Sequence, residues 1–129
     1  MVNFVYFNPN PESKLVGDCV VRAIAALLDK TWEQVYDELC ECGRAMYDMP
    51  SSNEVWTEYL YANGFTRKII PDTCPMCYSI RGFCKDNPEG EFLLATGTHV
   101  VAVIDGKYYD TWDSGSEVPI YYFKRRNQR

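Results

Sequence analysis

Gly17-Asp18-Cys19-Val20-Val21-Arg22-Ala23-Ile24-Ala25-Ala26-Leu27-Leu28 is the stretch around which this chain is organised. Apolar residues at Val16, Val20, Ala23, Ile24, Leu27 and Leu28 cover most of a helical circumference. That spacing predicts a central, buried helix from Val20 to Leu28, ended by Asp29-Lys30. Cys19 falls at the first turn. Exposed N–H groups and the helix dipole favour negative charge there, and a neighbouring cation lowers a thiol pKa further. A cysteine so placed is a candidate thiolate.

The chain has a single histidine, His99, and Asp110 follows it. Cys, then His, then Asp are the residue types of a nucleophile, a base and a group that orients the base.

At 129 residues the chain has the length of one domain, spanning 1–129. Hydrophobic residues make up 47% and aromatics 15%, enough for a packed core. The net charge of −5 argues against nucleic acid as a partner. The basic run Lys124-Arg125-Arg126, with Arg129, reads as a solvated C-terminal tail. No apolar run is long enough for a membrane span, and the N-terminus lacks the pattern of a signal peptide. The expected location is therefore the cytoplasm, with the six cysteines as free thiols.

Asn3–Phe7 reads as a short strand, followed by the turn-rich loop Asn8–Ser13. Thr31-Trp32-Glu33-Gln34 is a capping box. Its helix is expected to run to about Cys42 and stop at Gly43. Ser52 or Asn53 caps a third helix, closed by Asn63-Gly64. Phe65–Ile70 forms a short strand stopped by Pro71, Asp72–Cys77 is irregular, and Ser79–Lys85 forms a short helix.

The second half changes character. Glu91–Thr96 and His99–Ile104 read as strands. Asp105-Gly106 is a tight turn, Lys107–Trp112 the partner strand, and Val118–Phe123 a last strand. The order predicts an α+β domain, with N-terminal helices packed on one side of a C-terminal antiparallel sheet.

Counting outward from the Asp105-Gly106 turn pairs Ile104 with Lys107, Val101 with Asp110 and His99 with Trp112. Alternation then puts His99, Val101, Asp110 and Trp112 on one face. Asp110 is the diagonal neighbour of His99 and is favoured over Asp113, which points the other way. Trp112, opposite the imidazole, is placed to shield the His–Asp contact from water.

Gly17-Asp18-Cys19 at a buried helix, His99 in Thr98-His99-Val100-Val101-Ala102-Val103, and Asp110-Thr111-Trp112 together resemble the papain-like cysteine peptidase fold. The likeness is nearest to small bacterial or phage members similar to the bacteriocin-processing (C39-like) peptidases. The resemblance implies a central helix carrying the nucleophile Cys19 and a sheet carrying the base His99 and the orienter Asp110. It implies a peptide or protein substrate, hydrolysis of an amide, isopeptide or thioester bond, and no cofactor. The family's oxyanion-hole Gln, several residues before the cysteine, has no counterpart here. Asn10 is the candidate for that role, with Asn8 and Ser13 as alternatives. Gly17 would let substrate backbone pass close to the sulfur.

Other readings of the same residues remain open. Cys19 reads also as a small core residue, His99 as a structural histidine, and Asp110 as a surface carboxylate near a turn. Asp18 reads as a helix N-terminal charge. Cys74-Pro75-Met76-Cys77 has the spacing of half a zinc site, and Cys40 with Cys42 is a poor second half, so no metal is expected. A redox role for that pair lacks its strand–helix context. Cys84 and the tyrosines read as packing residues. A non-catalytic peptide- or protein-binding, or inhibitory, module with the same fold is the alternative to an enzyme.

Overall fold

Alternate residues of two adjacent apolar strands, Phe92–Ala95 and Val100–Val103, are buried on opposite faces of one sheet, so both faces carry a core. A computed structural model of the chain describes residues 3–71 and 76–126. Along them run β1 (Phe4–Tyr6), α1 (Cys19–Leu28), α2 (Trp32–Met46), α3 (Asn53–Ala62), β2 (Phe65–Ile69), α4 (Ile80–Asp86), β3 (Glu91–Ala95), β4 (Val100–Ile104), β5 (Lys107–Asp110) and β6 (Tyr121–Arg125). The fold is α+β. Cys74 of the Cys-x-x-Cys pair, the first part of the expected irregular stretch, and Arg129 of the basic tail lie outside the described residues.

The six strands form one mixed sheet in the order β1-β5-β4-β3-β6-β2. This departs from a purely C-terminal antiparallel sheet. β1 joins β5 in parallel, with Phe4 opposite Tyr108 and Tyr6 opposite Asp110. β2 pairs antiparallel with β6, with Phe65 opposite Arg125. Strands from the N-terminal half thus form both edges. The outer edges of β5 and β6 would otherwise leave backbone groups unpaired, and β1 and β2 satisfy them.

The helices also depart from a one-sided arrangement. On one face, Ile24 of α1, Val35 and Leu39 of α2 and Trp56 and Leu60 of α3 pack with Leu93, Ala102 and Phe123. On the other, Ile80, Phe83 and Cys84 of α4 pack with Phe92, Leu94, Val101, Val103 and Tyr108. Strands that are apolar on both faces need cover on both, and α4 supplies the second layer.

Local chemistry sets the helix ends. Thr31 and Gln34 form the reciprocal capping box. Ser52 caps α3 and Ser79 caps α4. Asp29 closes α1 in the left-handed conformation. α2 does not stop at Gly43 but runs to Met46 and closes at Tyr47. Gly43 has a different job. A Cβ there would lie 2.8 Å from the Asp48 carbonyl oxygen and 3.1 Å from the Pro50 nitrogen, so its bare Cα lets the following loop cross the helix.

The β4–β5 turn is as expected. Asp105 and Gly106 both take positive φ, 50° and 76°, which suits the right-handed twist of a two-residue hairpin. The register pairs Ile104 with Lys107, Val103 with Tyr108 and Ala102 with Tyr109. β4 begins at Val100 and β5 ends at Asp110, so His99 and Trp112 flank the strands and are not part of them. The last strand begins at Tyr121, three residues later than expected, and runs to Arg125. The basic run is thus partly sheet: Arg125 donates to the Leu27 carbonyl oxygen at 3.1 Å.

Candidate active site

Cys19 is the first residue of α1, and Asp18 stands at the N-cap position without using its side chain as a cap. Asp18 therefore leaves the first N–H groups of α1 without the usual side-chain acceptor. The chain reaches His99 by a hairpin loop between β3 and β4. Thr96 fixes that loop: its hydroxyl oxygen accepts from the N–H of Thr98 at 3.2 Å and of His99 at 3.0 Å, and its own N–H donates to the His99 carbonyl at 2.8 Å. The next residue, Val100, directs its N–H at the Cys19 sulfur, and the His99 ring is hydrogen-bonded to the same atom.

The other end of the imidazole meets Asp110. His99 Nε2 lies 2.7 Å from Asp110 Oδ2, which leaves Nδ1 for the cysteine. Asp110 is fully buried. Ser114 Oγ donates to the same oxygen at 2.6 Å. The other oxygen, Oδ1, accepts from the Thr111 N–H at 2.8 Å and from Arg22 Nη2 at 2.9 Å. A buried carboxylate with four donors, the Arg22 guanidinium among them, stays ionised.

Arg22 is itself buried and bridges two carboxylates. Its Nη1 donates to Asp18 Oδ1 at 2.5 Å, and Trp32 Nε1 donates to Asp18 Oδ2 at 2.8 Å. Asp18 is thus more than a helix-terminal charge: it is the far end of an Asp18–Arg22–Asp110 chain of ion pairs.

These contacts shift the titrations together. Burial alone would raise the Cys19 thiol. The hydrogen bonds from His99 and the Val100 N–H, with the charges of His99 and Arg22, outweigh it and hold the thiol below its ordinary value. Burial alone would lower His99, but the hydrogen bonds to Asp110 and Cys19 raise it to about 9. Burial opposes ionisation of Asp110 too, and the His99, Ser114 and Thr111 hydrogen bonds bring it below the usual carboxylate range.

Asp113 belongs to a separate cluster. It accepts from the Tyr108 hydroxyl, from Arg81 Nη2 at 3.2 Å and from the Gly115 N–H at 3.1 Å. Trp112 lies beside the imidazole, with ring centroids 5.1 Å apart. The shared face expected from alternation does not extend to Val101, which is packed in the α4 cluster while Asp110 reaches Arg22 on α1. The ladder ends one pair earlier, at Ala102 and Tyr109, so strict alternation no longer constrains Asp110.

A cleft of about 660 Å³ opens at this point. Gly17, Cys19, Thr98 and His99 line it together with Trp32, Tyr36, Met49 and Trp56. A Cβ at Gly17 or Gly97, both in the cleft lining, would meet nothing within 4 Å beyond its own chain neighbours, so neither position is crowded. A larger hollow of about 910 Å³ adjoins it at the end of α2, sharing Cys40, Met49 and Pro50, but it holds neither Cys19 nor His99. Asn10 does not line the cleft. Its Oδ1 accepts from the N–H groups of Glu12 and Lys14, at 2.9 and 3.2 Å, and so shapes the loop before Gly17.

Sequence reasoning missed Arg22, Ser114 and the role of Trp32. A legible signal existed for one of them. Arg22 is the one charge inside an otherwise apolar helix, four residues after Asp18, and a charge on a buried helix needs a partner. Compared with known proteins, the chain matches no family model, no curated protein and no solved structure.

Proposed function

We propose that this chain is a small cysteine-dependent acyl hydrolase of papain-like type, acting on an amide, isopeptide or thioester bond of a peptide or protein. One observation carries the reading: Cys19, at the uncapped start of α1, is hydrogen-bonded to His99, whose other ring nitrogen is held 2.7 Å from a fully buried carboxylate. The nucleophile on a helix, with base and orienter on neighbouring strand ends, supports the papain-like resemblance. A reactive thiol among free cysteines fits a reducing compartment, the cytoplasm.

The chemistry follows from the charges. The Cys19 thiolate attacks the carbonyl carbon, an S–C bond forms, and the carbonyl electron pair moves to oxygen. The first N–H groups of α1, which Asp18 does not cap, are the donors nearest in sequence to the sulfur for that oxyanion. We assign the role expected of Asn10 to these backbone donors. The C–N bond then breaks, and His99 gives its Nδ1 proton to the leaving amine. Neutral His99 next takes a proton from water, whose oxygen attacks the thioester. The thiolate departs, and the free acid and the thiolate–imidazolium pair result. Asp110 holds the imidazole in place and stabilises its charge throughout.

Site-resolved alkylation tests this. Iodoacetamide at about pH 6 should label Cys19 at least tenfold faster than the other cysteines, and His99→Ala should abolish the difference. Slow labelling of Cys19 in the wild type would leave the binding-module reading in its place.

A further inference from the structure

Arg22 is buried on α1 and does not line the cleft, yet it is joined directly to Asp110. Its guanidinium spans two carboxylates, Nη1 on Asp18 at 2.5 Å and Nη2 on Asp110 at 2.9 Å. The side chains of Arg22, Asp18 and Asp110 are 6%, 5% and 0% exposed. From Asp110 the chain of contacts continues to His99 and Cys19. From Asp18 it continues to the indole of Trp32, which stacks on Tyr36 in the cleft wall.

We propose that Arg22, braced by Asp18, is a positioning residue that locks Asp110 with its Oδ2 turned to His99. This rests on the reading of Cys19 and His99 as a reactive pair. The physical case lies in how the two carboxylate oxygens are divided. Arg22 and the Thr111 N–H take Oδ1, and His99 and Ser114 take Oδ2. Without Arg22, Oδ1 keeps only the Thr111 N–H, and the carboxylate is free to turn about its Cβ–Cγ bond. A turned Asp110 no longer fixes the imidazole, and the thiolate loses its counter-charge. The fork geometry matters as much as the charge. A guanidinium holds two carboxylates at once, whereas an ammonium is a single point. Asp18 makes the arrangement affordable in a dry interior, because a lone buried Arg22 would be left with one acceptor.

The groups that set the Cys19 charge are few: His99 just before β4, the Val100 N–H, Arg22 on α1, and through His99 and Arg22 also Asp110 and Asp18. The experiment is therefore the pH profile of Cys19 alkylation by iodoacetamide, in which a C–S bond forms and iodide leaves, read site by site in the full chain. Wild type, His99→Ala, Arg22→Lys and the double variant Asp18→Asn with Arg22→Gln are compared, with circular dichroism as the check on folding. The double variant removes both charges together and leaves hydrogen-bonding amides in their places.

At about pH 6 the double variant should alkylate about tenfold more slowly than wild type, and Arg22→Lys should fall between them. At about pH 10, where any accessible thiol is ionised, all should react within about twofold of wild type. A merely structural role would not produce that split. Should the double variant fail to fold, Arg22→Lys decides alone. A wild-type profile in either folded variant, or an equal loss at both pH values, overturns the proposal. Equal, slow labelling in wild type and His99→Ala would instead overturn the underlying site, and Arg22 with it.

Discussion

His99 Nε2 and Asp110 Oδ2 lie 2.7 Å apart across eleven residues of chain, the one just before β4 and the other at the end of β5. The hairpin turn between them fixes this approach. Asp110 also belongs to the sheet on its other side: its carbonyl accepts from the Phe7 N–H at 2.8 Å, just past β1. Asp110 is thus held through its backbone by the chain after β1 and through its carboxylate by Arg22 and Ser114.

That contact separates the two aspartates of this region. Asp110→Asn should slow Cys19 alkylation at about pH 6 by at least tenfold, because the amide cannot stabilise the imidazolium as a carboxylate does. It should also destabilise the fold by about 3 kcal/mol, since Arg22 loses one of its buried partners. Asp113→Asn should leave alkylation within about twofold of wild type, because that side chain serves Tyr108 and Arg81 at an exposed site. Alkylation of the two variants side by side checks the pair, and equal loss in both would reverse the assignment.

The single histidine makes the charge state directly visible. Its imidazole resonances should titrate with a midpoint near 9 and remain those of an imidazolium at neutral pH. A midpoint near the ordinary value of about 6.5 would contradict the Asp110 and Cys19 contacts.

Linkage turns the same shift into stability. A base whose pKa is raised on folding contributes stability fully below its unfolded value, about 6.5, and loses it as pH rises through about 9. Cys19 has the opposite sign: its pKa is depressed, so its contribution is full above its unfolded value and is lost as pH falls through the folded one. The two oppose each other between those limits. Cys19→Ala removes the second, so its stability should fall more steeply with pH across this window than that of wild type. Urea melts at stepped pH check this, and parallel curves would refute it.

Trp112 is 46% exposed yet sits against the imidazole. Trp112→Ala should admit water to the His99–Asp110 contact and lower the His99 midpoint, with a loss of alkylation at about pH 6 of roughly threefold. The folding midpoint should barely move, because so exposed a ring contributes little to the core. An unchanged histidine titration would show that the indole does not shield the pair.

Gly43 supplies a test of the scaffold away from the chemistry. Gly43→Ala places a methyl 2.8 Å from the Asp48 carbonyl oxygen, so the 48–50 loop must move. Helix propensity alone would make this change stabilising by about 1 kcal/mol. The clash should reverse the sign and give a net loss of about 1–2 kcal/mol in thermal or urea melts.

Local chemistry was enough to locate much of this protein from its residues. The capping box at Thr31, the cap at Ser52, the Asp105-Gly106 turn and the apolar run from Val20 depend on neighbours a few positions away, which a sequence displays. The two-residue turn likewise shows in the sequence that the chain ends around His99 and Asp110 come together, but alternation does not set their contact, because the ladder ends at Ala102 and Tyr109. What lay beyond counting was decided by contacts between distant segments. The parallel docking of β1 on β5 and the cover of the second face by α4 depend on which edges and faces remain open once the sheet has formed. Gly43 is read as a stop until the crossing loop is seen. Arg22 shows the limit most clearly. Its charge on an apolar helix is visible in the sequence, but its second partner lies 88 residues away, and only the folded sheet brings that carboxylate to it.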